Sequence, residues 1–353
     1  MLTWTQEISN PDEYIALRTL LTPSLRNLTL MVRRADEPGT LPTWQDDVLA
    51  TILQSVFCTA IHLKKLVLGD VRHWTSLVRI ETCRELQHFD LQLSSPITTS
   101  IAEVLITLTF LPNLSSLSMR RNRTYTYGTR GLSDLDTKPG FACLRKLVLC
   151  GHPEHILPLL MGASFPCLEH LQLYFEKEMR PGEMPSYIAR VQLPRILPHL
   201  HKLYISESTF LMLRPDPPVD CSLLNLLGPF LALKELDTFE IRLGEHSPRV
   251  TDDEIRQVAE SWSKIQVLRM AMFKPSHIWP SLHALNHIAQ NCPDLRKLLL
   301  PPVRHRGDIP GTTLRRPHGL QELVTYGWEV DSRELKRYLN EVFAQVEIPL
   351  YGE

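Results

Sequence analysis

The chain has 353 residues, 43% of them hydrophobic, and sets 38 basic against 39 acidic residues for a formal net charge of −1. So even a balance projects no global field toward nucleic acid or an anionic membrane surface. No apolar run approaches the roughly 18 residues of a membrane span, and the opening MLTWTQEISNPDEY lacks the basic-then-apolar layout of a secretory signal. Seven cysteines, an odd number with no CxxC pair, read as reduced, buried thiols of a cytoplasmic and/or nuclear protein. The N-x-S/T matches at Asn27, Asn113 and Asn122 are then coincidences.

Taken in order, residues 1–22 carry little pattern beyond a helical stretch, DEYIALRTLL, and read as an N-terminal segment or partial cap. From Pro23 a frame LxxLxL recurs. Its copies are Leu25-Leu28-Leu30, Leu63-Leu66-Leu68, Leu86-Phe89-Leu91, Leu114-Leu117-Met119, Leu144-Leu147-Leu149, Leu168-Leu171-Leu173 and Leu200-Leu203-Ile205. Leu236-Phe239-Ile241 follows, with Leu233-Leu236 offering a competing register. Ile265-Leu268-Met270, Leu295-Leu298-Leu300, Leu320-Leu323 ending on a polar Thr325, and Phe343-Val346-Ile348 complete twelve copies, 23 to 38 residues apart.

Self-similarity at such a period is the mark of leucine-rich repeats. Each xxLxL is a short strand whose alternate side chains point to opposite faces. One such strand cannot bury its apolar face alone, whereas stacked parallel neighbours share a continuous core. Parallel strands require crossovers, and 46–61, 97–111, 186–197, 251–263 and 281–292 show apolar residues at helical spacing. Thr251 with Glu254, and Asp331 with Glu334, have capping-box form. The expected fold is therefore an α/β leucine-rich-repeat solenoid over 23–353, curved and right-handed, with a concave parallel sheet, outer helices and about twelve irregular repeats. The helix and strand at about 331–350 would cap its C-terminal end.

Segments from helix to strand are short, whereas those from strand to helix (32–43, 120–141, 175–185, 206–221, 244–250 and 301–317) are long. In a parallel stack these long loops share the rim at the strand C-termini, where binding on rigid scaffolds tends to sit.

Residues flanking the central apolar position of each frame face outward. The preceding column holds Lys65, His88, Lys146, His170, Lys202 and Lys297, loosely basic and suited to an acidic protein segment or simply to solvation. The following column is mixed and includes Tyr204 and Arg269. Two rim loops are basic: Arg120, Arg121, Arg123 and Arg130 interleave with Tyr125 and Tyr127, and Arg304, Arg306, Arg315 and Arg316 surround His305. Arginine with tyrosine serves single-stranded nucleic acid and protein hot spots alike, and the neutral total charge favours protein. Cys150, His152 and His155 have metal-compatible donors, but no second pair completes a site and no metal is expected. GxSxG, P-loop, GxGxxG and HExxH patterns are absent, so neither an enzyme nor a cofactor is expected.

The runs ALKELDTFEIRL, TDDEIRQVAESWSKIQVLRM and HIAQNCPDLRKLLLP, with the opening LLTPSLRNLTL and the closing SRELKRYLNEVF, resemble the leucine-rich-repeat region of fungal F-box proteins. The resemblance runs from about Leu20 onward and rests on texture and order rather than on an invariant motif. It implies a target-binding substrate receptor of a cullin-based ubiquitin ligase, in which an F-box docks a Skp-type adaptor and the repeats hold the target. Residues 1–22 are too few for an F-box, so adaptor docking needs one upstream. The alternatives are a truncated gene model and a repeat-only scaffold or inhibitor with no ligase link. An RNA-binding surface on the 120–130 loop is the third reading.

Overall fold

The computed structural model describes residues 2–8, 21–32, 44–71, 77, 79–93, 101–121, 140–151, 153–175, 193–207, 222–243, 248–272, 278–304, 318–325, 328–329, 332–343 and 346. The chain divides into two compact units, Met1–Leu168 and Glu169–Glu353.

In the first unit, six parallel strands stack in sequence order: β1 (Leu2–Ile8), β2 (Leu25–Val32), β3 (Lys65–Val71), β4 (His88–Leu93), β5 (Ser116–Arg121) and β6 (Lys146–Gly151). The crossovers carry α1 (Trp44–Thr59), α2 (Ile101–Thr109) and a 3-10 turn at Ile80–Thr82, and α3 (Pro153–Gly162) follows β6. The pairing joins Leu28 to Leu66, Phe89, Leu117 and Leu147 in turn, all five buried, so each central frame position stacks on the next. Strand β1 is not foreshadowed by the frame. It pairs along its whole length with β2 and sets Trp4 beside Leu28 and Gln6 beside Leu30.

The second unit repeats the plan with β7 (His170–Phe175), β8 (Lys202–Glu207), β9 (Thr238–Leu243), β10 (Val267–Met272), β11 (Lys297–Leu300) and β13 (Glu322–Thr325). A separate two-stranded ladder pairs β12 (Val303–Arg304) with β14 (Trp328–Glu329). Its helices are α4 (Leu193–Ile196), α5 (Leu223–Leu227), α6 (Asp252–Ser261), α7 (Leu282–Asn291) and α8 (Ser332–Val342), with a 3-10 turn at Gly228–Phe230. Leu171, Leu203, Phe239, Leu268, Leu298 and Leu323 form one buried row in register. This is the leucine-rich-repeat fold.

The frame is longer than its three leucines. The first apolar residue donates its amide to the carbonyl three residues earlier, as in Leu63 to Ala60, Leu86 to Cys83, Leu144 to Phe141, Ile265 to Trp262 and Leu295 to Cys292. Those earlier residues are all buried. The unit is thus a turn with an apolar residue at its start, followed by the strand. The competing register at Leu233-Leu236 resolves accordingly: Leu233 opens the turn, and Phe239 and Ile241 lie in register with Leu203 and Ile205. Proline at 23, 112, 166, 198 and 293 takes the second place of these turns, where its fixed φ is already suitable.

Thr251 accepts from the Glu254 amide at 3.3 Å while Glu254 accepts from the Thr251 amide at 2.9 Å, which completes the expected capping box. The second expected box, at Asp331, lies outside the described residues, as do 186–192 of the helix expected over 186–197 and the strand expected at Phe343-Val346-Ile348 beyond Val346. Phe343 itself is buried and bridges to His318. Thr325, polar at a core position, is also buried.

Buried thiols hold only in part. Cys83 and Cys292 are buried, but Cys58, Cys143 and Cys167 are exposed. Cys143 and Cys167 sit just before the first leucine of their frames, where the turn points side chains to solvent, and Cys58 lies on the open side of α1. Burial pushes the Cys83 thiol up to about 11 and the Cys292 thiol up to about 12, from an ordinary 9.0. Above pH 9 the unfolded chain therefore sheds these protons while the folded chain keeps them, so the stability present below pH 9 declines as pH rises toward 11 and 12. The expected loss between pH 9 and pH 10 is on the order of 2 kcal/mol for the two thiols together. Urea denaturation at the two pH values measures it, and Cys83→Ala with Cys292→Ala should flatten the slope.

Candidate functional site

Alternation along each strand puts one set of side chains in the core and the other on the outward face. In the first unit the column before the central apolar residue runs Asn27, Lys65, His88, Ser116, Lys146 in register, and the column after it runs Thr29, Val67, Asp90, Ser118, Val148. Lys65 and His88 are exposed and Lys146 is half-buried. None of the three has a side-chain partner among the described residues. Arg120, next along β5, is exposed and donates from Nε to Ser118 Oγ at 3.3 Å. Arg121 ends the strand in register with Leu93. Arg123, Tyr125, Tyr127 and Arg130 lie outside the described residues, as does Arg306.

The second unit's outward face is more organised. Its two columns are His170, Lys202, Thr238, Val267, Lys297, Glu322 and Gln172, Tyr204, Glu240, Arg269, Leu299, Val324. At the β7–β8 side three groups of one strand are linked: Tyr174 donates its hydroxyl to Gln172 Oε1 at 3.3 Å, and the Gln172 amide donates to His170 Nε2 at 2.9 Å. The His170 ring then lies 5.4 Å from the Tyr204 ring, tilted by 38°. Lys202, exposed, has no side-chain partner among the described residues. Burial raises the Tyr204 phenol above its ordinary range; the Glu240 carboxylate adds to this and Arg269 opposes it. Tyr204 therefore stays a neutral donor throughout the physiological range.

Toward β13 the same face is a salt network. Arg242 donates from Nε and Nη2 to Glu240 Oε1 at 2.7 and 2.6 Å, and Glu240 is itself buried. Arg269 and Lys297 converge on the two oxygens of Glu322 at 3.2 and 3.1 Å. Two of the cations expected to meet a partner thus meet a carboxylate of their own sheet, and the face is less basic than its preceding column alone suggests. Arg304 is drawn aside as well, with its guanidinium 4.2 Å over the Trp279 ring.

Spacing places Gln172, Glu240 and Glu322 in the two outward columns without giving them a role, and it misses Tyr174 and Arg242. Tyr174 and Arg242 continue the outward alternation by one more step, so a third column was available to the same period-two count. Among the described residues no group of three or more His, Cys, Asp or Glu is placed to hold a metal ion, and no helix is long and apolar enough to cross a membrane. His152 and the side chain of His155 lie outside the described residues.

No protein-family model matches the chain, and no curated protein matches its sequence. Among solved structures it is similar to a Bacteroides fragilis protein at 16% identity and a TM-score of 0.42, over 98% of this chain and 74% of that one. It is also similar to a leucine-rich-repeat protein of Leptospira interrogans at 14% identity and a TM-score of 0.33, over 98% and 100%. A third is the TLR13–ssRNA13 complex, at 14% identity and a TM-score of 0.35, over 97% and 58%. With scores and identities this low, the fold assignment rests on the shared strand register within each unit and not on these neighbours.

Proposed function

We propose that the chain is a protein-interaction module that recognises its target through the outward face of the second unit. The observation that supports this reading is the cluster of His170, Tyr174 and Tyr204, tied together by hydrogen bonds and ring contact beside Lys202, whose ammonium has no side-chain partner among the described residues. Aromatic side chains already held in place lose little rotamer freedom on binding, which is the usual condition for a hot spot. A lysine whose charge is not met within the face favours a partner segment that brings a carboxylate. The resemblance to fungal F-box proteins supports the finer reading, that the bound protein is the target of a cullin-based ubiquitin ligase. That role needs an F-box in addition to the repeats.

Isolation of the full chain from native lysate, in parallel with the Lys202→Glu/Tyr204→Ala double variant, tests both levels. Both substitutions fall on the outward face, so the core row at Leu203 is left intact. The expected result is one or two reproducible proteins with the native chain and at least a tenfold loss with the variant, about 1.4 kcal/mol or more. Equal recovery by the two chains would remove this face from recognition. A Skp-type adaptor and a cullin recovered alongside the target would support the ligase role; a target recovered without them would favour a repeat-only binder.

A further inference from the structure

The position just before the first leucine of each frame forms a column of its own, at the turn that leads into the strand. Side chains at this position touch from one repeat to the next. His62 Nδ1 lies 2.7 Å from Glu85 Oε1, and Lys264 Nζ lies 2.8 Å from Glu235 Oε2; these four residues directly precede Leu63, Leu86, Ile265 and Leu236. In the first unit the same position is held in two successive repeats by Cys143 and Cys167, before Leu144 and Leu168. Both are free thiols and both are exposed.

Their turns are closed in the same way. Phe141-Ala142-Cys143-Leu144 and Phe165-Pro166-Cys167-Leu168 are each closed by an amide from the leucine to the phenylalanine carbonyl, at 3.4 and 3.3 Å. Gly140 bridges to Ser164 in parallel, the Phe141 amide donates to the Ser164 carbonyl at 2.9 Å, and the Phe141 and Phe165 rings stack at 5.4 Å with 6° between their planes. Two turns closed alike and aligned at their first positions are expected to hold their third positions at the spacing of neighbouring strands, about 4.8 Å. A disulfide accepts Cα atoms about 4.4–6.8 Å apart and Cβ atoms about 3.5–4.5 Å apart, so the pair must close by less than about 1 Å at an exposed turn.

We propose that Cys143 and Cys167 form a vicinal dithiol between repeats that low-molecular-weight disulfides oxidise to an intramolecular bridge. One thiolate attacks a sulfur of the reagent, forming a mixed disulfide and expelling one small thiol. The second thiolate attacks the protein-side sulfur of that mixed disulfide, forming the Cys143–Cys167 bond and expelling the other small thiol. Two protein thiols are oxidised, one reagent disulfide is reduced to two thiols, and the two protein protons end on those products. Neither the fold nor target binding requires this chemistry, and its outcome is independent of theirs.

The test incubates the folded full chain with oxidised glutathione, blocks residual thiols by alkylation and digests with trypsin without reduction. Cleavage after Arg145 and Lys146 separates Cys143 from Cys167, so only a disulfide rejoins their peptides. Cys150 travels in the same peptide as Cys167, which makes Cys150→Ser the necessary control. The expected result is a linked pair in the native chain, unchanged in Cys150→Ser and lost in both Cys143→Ser and Cys167→Ser. Separate glutathione adducts on Cys143 and Cys167 with no linked peptide would overturn the proposal, and so would a link that survives Cys167→Ser.

Discussion

Replacing Trp262 by alanine is expected to lower the stability of the second unit by about 3–5 kcal/mol, the range for emptying a large aromatic site in a packed core. The indole is fully buried, lies 4.7 Å from the Phe239 ring at a 35° tilt, and donates Nε1–H to the Phe230 carbonyl at 3.4 Å. It also occupies the turn position that opens the Ile265 frame, so a cavity there undercuts the start of β10 as well as the row around Phe239. Trp262→Phe keeps most of the ring contact and should cost distinctly less. Urea titration followed by circular dichroism reads the difference as a lower midpoint at unchanged slope. A midpoint for Trp262→Ala within error of the parent would mean that this packing is not what holds the repeat.

Tyr338→Ala should be of comparable size, about 3–5 kcal/mol, because the ring is 1% exposed and fastens α8 to α7. Its hydroxyl lies 2.9 Å from the Leu282 carbonyl and 3.0 Å from Asn286 Oδ1, sharing one proton between them. Burial raises this phenol well above its ordinary range, with the charge of Asp252 adding to the effect. Tyr338→Phe removes only the hydroxyl and leaves two acceptors short of a donor, for about 1–2 kcal/mol. The two variants together separate ring packing from the hydrogen bond; similar losses in both would mean that the ring itself contributes little.

The strand ladder was legible because its signal is strong where it matters: apolar residues recur at every central position and at every final position except Thr325, and a period of two leaves little choice of register. The turn position three residues earlier was hidden by its variety, since Ala60, Cys83, Phe141 and Trp262 share burial but no chemical type. Strand β1 escaped for a related reason. Its register sets Gln6 where the frame expects a leucine, and pairing with β2 carries it regardless. Helix α3 is not among the stretches picked out by helical spacing, and it carries prolines at 153 and 158, which such a count reads against a helix. On the face, spacing located Lys202, Tyr204, Arg269 and Lys297 correctly in their columns. It could not foresee that Glu322, 53 residues beyond Arg269, would take two of their charges, because that depends on which columns adjoin in space.

One arrangement in the second unit bears on how it comes apart. Asp252, in the first turn of α6, accepts from the Ser281 amide at 2.7 Å and the Ser281 hydroxyl at 2.6 Å, at the head of α7. Glu254, two residues on, accepts from the Leu224 amide at 3.4 Å, at the head of α5. The carboxylates of one helix thus close the open ends of the helices on either side. Melting α6 alone would strand amides in both neighbours, so the partial openings that ordinarily let a repeat array fray one unit at a time are penalised here. The segment from Ser222 to Asn291 should exchange its amide protons as a single block, with erosion beginning elsewhere.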